Sequence, residues 1–253
     1  MILLLGGTGV TAQIAMGLAQ AGYCVLVSRA TDVPLDVGQH ARIESRCGPL
    51  DETGLTAMLV ERKIQAVVDA THPYATTIRA TAQRVAGRLG IPYLSFLRPP
   101  VLGLDEAGVE YAADHAAAAA TAFAHGRPVL LTTGSRNLAP YAEQSRRTGL
   151  PLVVRVLDRP QSHEACRQAG IPAQRVVTGR GPFSVEENRR QIRAFGIGVL
   201  VTKDGGRPGG ALEKLQAARA ECCRLVVVGR PQLDAAIVFT EVEALLSFLS
   251  VTI

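Results

Sequence analysis

An apolar run, Met1 to Leu5, stops abruptly at Gly6-Gly7-Thr8-Gly9-Val10-Thr11. A strand that meets three glycines in four residues must turn sharply there, because glycine adopts backbone conformations that other residues avoid. The helical stretch Gln13 to Ala21 follows, and then a second apolar run, Tyr23 to Ser28. The chain therefore opens as the strand, turn, helix and strand of a βαβ unit. Gly7-x-Gly9-x-x-Ala12 fits the tolerant form of the G-x-G-x-x-G/A fingerprint. In that arrangement backbone N–H groups and the positive end of the helix face a bound pyrophosphate. Gly6, Gly7, Thr8, Gly9, Val10 and Thr11 are the expected contacts.

The end of the second strand specifies the dinucleotide. A unit for NAD carries Asp or Glu there, roughly 20 residues after the glycines, to accept from the ribose hydroxyls. This chain has Ser28 and Arg29. A carboxylate would repel a 2′-phosphate, whereas a guanidinium pairs with it in bidentate fashion and a hydroxyl donates a further bond. The expected cofactor is NADPH, with Ser28 and Arg29 at its 2′-phosphate.

The 253 residues are 47% hydrophobic and 19% charged, a balance that builds a large core and excludes disorder. A net charge of +5 favours an anionic partner. Nucleic acid is not expected, since no Lys/Arg-rich run occurs and aromatic residues, at 4%, leave few stacking platforms. No run reaches the roughly 20 apolar residues that cross a bilayer, so no membrane partner is expected. Cys24, Cys47, Cys166, Cys222 and Cys223 form no C-x-x-C pair, which points to a reducing, cytoplasmic setting. His40, His72, His115, His125 and His163 lack ligand spacing, and no metal is assigned.

Further along, strands alternate with helices, the pattern of a parallel sheet covered on both faces. Strands are expected at Ile2 to Leu5, Cys24 to Ser28, Ala41 to Ser45, Ala66 to Asp69 and Tyr93 to Phe96, with helices at Asp51 to Arg62 and Ala75 to Leu89. Leu97 to Gly108, with Pro99-Pro100, reads as a crossover. The alternation resumes with an Ala-rich helix, Asp114 to Ala124, and strands Val129 to Thr132, Leu152 to Val156, Arg175 to Val177, Gly198 to Val201 and Leu225 to Val228. Ser184 and Glu187 form a capping box for helix Val185 to Phe195, and helix Glu241 to Leu249 closes the chain. The reading is an α/β protein of two domains, 1–98 for the dinucleotide and 99–253 for a second ligand.

Ligands of such sheets bind beyond the carboxyl ends of the strands. Strand Ala66 to Asp69 runs into Ala70-Thr71-His72-Pro73-Tyr74-Ala75, which gathers hydroxyl, imidazole and phenol groups beside the dinucleotide. Thr71 and His72 are expected at the cofactor. Thr133-Gly134-Ser135-Arg136-Asn137 follows another strand, and Ser135 and Arg136 suit an anion. In Thr202-Lys203-Asp204-Gly205-Gly206-Arg207-Pro208-Gly209-Gly210, glycines permit close backbone approach beside a point charge, so Thr202, Lys203, Gly205 and Gly206 are candidate ligand contacts. Arg180, in the turn Thr178 to Ser184, adds a further cation.

Together with Glu213-Lys214 and Gly181-Pro182-Phe183-Ser184, these motifs make the whole chain resemble the precorrin-6A reductase family of cobalamin biosynthesis. Most specific are the heptad Asp69 to Ala75 and the series Thr-Lys-x-x-Gly-x-x-Gly-Gly-x-x-Glu-Lys from Thr202 to Lys214. Asp204-Gly205-Gly206 departs from the small residue expected before the glycine, and the turn before Pro182 departs in carrying Arg180. The resemblance implies two Rossmann-like domains, each a mostly parallel sheet flanked by helices, with the active site in the cleft between them. It also implies NADPH-dependent reduction of a carbon–carbon double bond in a corrin precursor, metal-free precorrin-6A or the cobalt form of the anaerobic branch. The substrate would be an anionic tetrapyrrole, matching the basic protein, and neighbouring enzymes of the pathway would be transient partners. Lys203, His72 and Tyr74 are the candidates for supplying the proton, with pairing of a substrate carboxylate an equal role for Lys203.

Other classes fit less well. A short-chain dehydrogenase needs Tyr-x-x-x-Lys, and none of Tyr23, Tyr74, Tyr93, Tyr111 or Tyr141 has Lys four residues on. The glycine turn lacks the Lys of a phosphate-loop NTPase. A non-enzymatic NADPH sensor would use the same first half without needing the Lys203 loop.

Overall fold

The computed structural model describes residues 1–31, 36–103, 106–206, 209–231 and 237–253. Leu104 and Asp105 of the expected crossover, and Arg207 and Pro208 of the Lys203 loop, lie outside the described residues. The first elements are β1 (Ile2–Leu5), α1 (Thr11–Gln20), β2 (Val25–Arg29), β3 (Ile43–Cys47), α2 (Glu52–Glu61), β4 (Ala66–Asp69), α3 (Thr76–Arg88) and β5 (Tyr93–Phe96). Next come β6 (Val109–Ala112), α4 (His115–Ala124), β7 (Val129–Leu131), α5 (Ala139–Thr148), β8 (Leu152–Val156), α6 (Pro160–Gln168) and β9 (Val176–Thr178). The chain ends with α7 (Val185–Ala194), β10 (Val199–Lys203), α8 (Ala211–Ala220), β11 (Arg224–Val228), β12 (Val238–Phe239) and α9 (Val242–Thr252).

Two parallel six-stranded sheets result, with orders β12-β5-β4-β1-β2-β3 and β6-β11-β10-β7-β8-β9. The inner strands are apolar on both faces, as in β1 and β4 where every residue is buried, because helices cover both sides. Local signals set the helix ends. Asp51 and Asp114 accept from Gly54 N and Ala117 N to cap α2 and α4, and Ser184 with Glu187 forms the expected capping box of α7. Along α1, Ile14, Ala15, Leu18 and Ala19 form one buried stripe at helical spacing.

The sheets belong to two compact units, Met1–Pro99 with Pro231–Ile253, and Pro100–Arg230. This corrects the expected second domain of 99–253, because the last segment returns to the first unit. There β12 pairs with β5 in register Val238↔Ser95 and Phe239↔Phe96. Helix α9 buries Val242, Leu245 and Leu249 and lays Leu246 against α1, where Gly17 leaves room; a Cβ there would stand 2.8 Å from Leu246 Cδ1. The edge position beside β5 is thus filled from the C-terminus, while β6, next in sequence after β5, is an edge strand of the other sheet. Sequence reading did not identify β6 or β12, which are short, partly exposed edge strands.

Candidate functional site

In the first sheet the connections run outward in opposite directions from the boundary between β1 and β4, which opens a crevice at the carboxyl ends of those strands. The glycine turn and the loop after β4 meet there. Ala70 N donates to Leu5 O at 2.9 Å, and Thr8 Oγ1 to Ala70 O at 3.0 Å. Gly7 takes φ +125°, and no atom of the described residues lies within 4 Å of where a Cβ would stand, so that side of the turn is open. Thr11 Oγ1 accepts from Gly7 N and Thr8 N, each at 3.2 Å. The buried Thr8 and Thr11 therefore build the turn with their side chains, while Gly7 and Gly9 are exposed and Val10 half-buried. Among the described residues no side chain caps α1, leaving its first-turn dipole turned toward the crevice.

Asp69 organises the neighbouring loop. Its buried carboxylate accepts from Thr71 N (2.9 Å), Thr71 Oγ1 (2.6 Å), Arg79 Nε (2.9 Å) and Tyr93 Oη (2.5 Å). Arg79 also donates to Pro73 O at 3.1 Å. Burial beside this carboxylate pushes the Tyr93 phenol well above its usual range, so it stays a proton donor to Asp69. His72 is exposed and Tyr74 half-buried, their ring centroids 5.5 Å apart on the loop this network holds. Thr71, by contrast, is buried within the network.

At the end of β2, Ser28 pairs in register with Arg46 of β3, and Arg46 Nη1 donates to Ser28 Oγ at 2.8 Å and to Gly48 O at 2.9 Å. Two guanidinium groups, Arg29 and Arg46, thus belong to this strand-end region. Gly6, Ser28, Gly48 and Thr71 line a small pocket beside it.

The second sheet has the same kind of boundary, between β7 and β10. Thr132 N and Oγ1 both donate to Val201 O, at 2.9 and 2.8 Å, and clamp the two strand ends together. Lys203 ends β10 half-buried; burial, and then the charge of Arg136, hold its ammonium below the usual lysine range. Thr202 is buried inside the strand, with Oγ1 directed to Lys203 O at 3.3 Å. Asp204 explains its own departure from the expected small residue. Its buried carboxylate accepts from Val101 N (2.8 Å), Leu102 N (3.0 Å) and Gly206 N (2.9 Å), fixing the glycines to the start of the unit. Lys214, also buried, donates to Gly209 O (2.9 Å) and Gly210 O (3.2 Å) at the base of the same loop.

Ser135 is half-buried, with Oγ 3.4 Å from Ser162 Oγ, and Arg136 is exposed. Arg180 is exposed in a turn built on Phe183, whose ring lies 4.1 Å beneath the Arg155 guanidinium. Arg155 is itself buried and donates to Asn188 Oδ1 (2.8 Å) and Gln191 Oε1 (2.9 Å). Among the described residues no group of three or more His, Cys, Asp or Glu could hold a metal ion, and the cysteines are free thiols.

Residues 1–250 match the family model described as precorrin-6x reductase CbiJ/CobK. The chain belongs to this reductase family. It is 35% identical over 240 residues to the precorrin-6A reductase of Mycobacterium tuberculosis, covering 93% of this chain and 91% of that one. It is 30% identical over 244 residues to the cobalt-precorrin-6A reductase of Priestia megaterium, covering 96% and 95%. A solved structure named CobK precorrin-6A reductase superposes with a TM-score of 0.79 at 27% identity, over 99% of this chain and 96% of that one.

Within this family's fold, sequence reading located the loops but not the residues that hold them. Arg46, Arg79, Tyr93 and Lys214 were not assigned roles, and each acts on a partner supplied by another strand, helix or loop. Strand register was the missing signal for Arg46, which becomes a neighbour of Ser28 only when β3 pairs with β2.

Proposed function

We propose that this reductase uses NADPH to reduce a carbon–carbon double bond of metal-free precorrin-6A. The observation that carries the cofactor choice is the end of β2, where Arg46 donates to Ser28 beside Arg29 and the strand brings no carboxylate to the ribose position. The space beside Gly7 and the N-terminus of α1 suit a pyrophosphate, and Ser28, Arg29 and Arg46 suit a 2′-phosphate. When held there by these residues, NADPH would supply the hydride that the double bond accepts. The matching proton comes from His72 or Tyr74, on the loop that Asp69 and Arg79 keep beside the glycine turn.

The tetrapyrrole is rich in carboxylates, and the ligand edge of the second unit carries Lys203, Arg136 and Arg180 to receive them. Lys203 serves there as a carboxylate partner and fixes the ring's position, the larger part of what hydride transfer demands of a protein. The metal-free substrate is supported by the relatives' names. Relatives called precorrin-6A reductase include ones 33% and 35% identical to this chain, and relatives called cobalt-precorrin-6A reductase include ones 29% and 30% identical.

Purified protein mixed with precorrin-6A should consume NADPH and yield a product two hydrogen atoms richer by mass. Consumption with the cobalt form alone would move the substrate to the anaerobic branch. Preference for NADH would overturn the cofactor, and cofactor binding without any turnover would leave a sensor.

A further inference from the structure

His115 begins α4, just beyond the carboxyl end of β6, and its ring meets Tyr141 of α5 edge-on, with centroids 5.8 Å apart. Nδ1 lies 3.0 Å from Tyr141 Oη. Tyr141 is fully buried, and among the described residues this imidazole is the hydrogen-bond partner of its hydroxyl. Burial, and then the charge of Asp114, push the phenol far above its usual range, so it keeps its proton. That proton needs an acceptor, and Nδ1 is in place to be one. The ring's hydrogen is then on Nε2.

Nε2 is buried and has no hydrogen-bond partner among the described residues. A second buried polar atom without one is Thr133 Oγ1, in the loop after β7 at the carboxyl edge of the same sheet. An N–H group removed from water and left unmatched is unfavourable, and a ligand's acceptor would relieve it. The surroundings indicate the kind of acceptor. His115 follows β6 and Lys203 ends β10, the two strands that flank β11, so both stand at the carboxyl edge of one sheet, where the charge of Lys203 bears on the imidazole and that of Arg136 on Lys203. Among the described residues, Asp114 is an acidic group whose charge also reaches the ring. Burial and then Lys203 lower the imidazole to about 4, so it is uncharged at neutral pH and acts as a donor without being an acid.

We propose that His115, held in one tautomer by Tyr141, donates from Nε2 to a carboxylate oxygen of the tetrapyrrole next to Lys203. The assignment rests on the proposed use of this edge for the substrate. It makes His115 a binding residue and Tyr141 a positioning residue that acts through it.

Two measurements test it. Nitrogen NMR of the labelled, ligand-free protein should show a neutral His115 ring with its hydrogen on Nε2, and precorrin-6A should shift that Nε2–H signal. Steady-state kinetics should show H115A raising KM about 10- to 100-fold with kcat little changed, as for a lost bond to a charged group. H115Q, whose amide reaches the Nε2 position, should restore most of the affinity, and H115N should not. Y141F should raise KM less than H115A, and the double variant should be no worse than H115A alone. Hydrogen on Nδ1, a KM unchanged in H115A, or equal behaviour of H115Q and H115N would overturn the proposal. Wild-type protein that fails to turn over precorrin-6A would instead overturn the functional reading, and the NMR result would still decide the tautomer.

Discussion

Arg79 Nε donates to Asp69 Oδ2 at 2.9 Å with both side chains buried, and the same guanidinium reaches Pro73 O. A strand end and the helix that follows it are joined by this pair, and the loop carrying His72 and Tyr74 is strung between them. Replacing one partner strands the other's charge away from water. R79M and D69N should each lower unfolding stability by about 3–5 kcal/mol. Urea denaturation of the single and double variants checks this, with the double variant losing much less than the sum.

Gly7 has φ +125° with open space where a Cβ would point, so a side chain there meets backbone strain and no clash. G7A should remain folded, lose about 1–3 kcal/mol of stability, and bind NADPH more weakly as the amides re-orient. Thermal unfolding and cofactor titration on the same preparation separate the two effects.

Arg46 supports Ser28 from the adjacent strand. R46M, like R29M, should weaken NADPH binding about 10- to 100-fold, the value of a charge-assisted phosphate contact, with NADH binding almost unaltered. Titrations with both coenzymes test the asymmetry. Equal losses for the two would remove the 2′-phosphate from this strand end.

Lys203 is expected to bind carboxylate more than to move a proton. K203A should raise KM for precorrin-6A by about 10- to 100-fold while the rate of the bound complex changes less. In single-turnover kinetics, unchanged affinity with a rate near zero would make Lys203 the acid.

Lys214 is buried against two neutral carbonyls, and burial first, then the charge of Arg155, lower its ammonium from 10.5 to about 8. Between those values the unfolded chain holds a proton that the folded protein has released, so this group makes stability rise with pH from about 8 to about 10.5. The rise is on the order of 3 kcal/mol. Urea unfolding across that window should show it in the wild type, and K214M should flatten it.

How much of this was legible in advance differs between backbone and side chains. The alternation of strands and helices, the turn at Gly6 to Thr11 and the capping box at Ser184 came from patterns within a few residues, where propensity and sterics act. The heptad Asp69 to Ala75 was legible as a motif, yet His72 and Tyr74 drew the chemical reading, while Asp69 proved to be the residue that holds the loop. Its partners Arg79 and Tyr93 lie ten and 24 positions away, beyond any local signal.

The sequence by itself determined the two α/β halves, the order of their glycine loops and the cationic residues at the strand ends, since short-range periodicity and glycine sterics are written in adjacent residues. Tertiary structure alone decided that β12 and α9 return to the first unit, that Arg46 stands beside Ser28, and that Tyr141 meets the His115 ring. Each of these depends on which apolar faces bury each other and in what register strands pair, and that balance is struck only when segments distant in the chain come into contact.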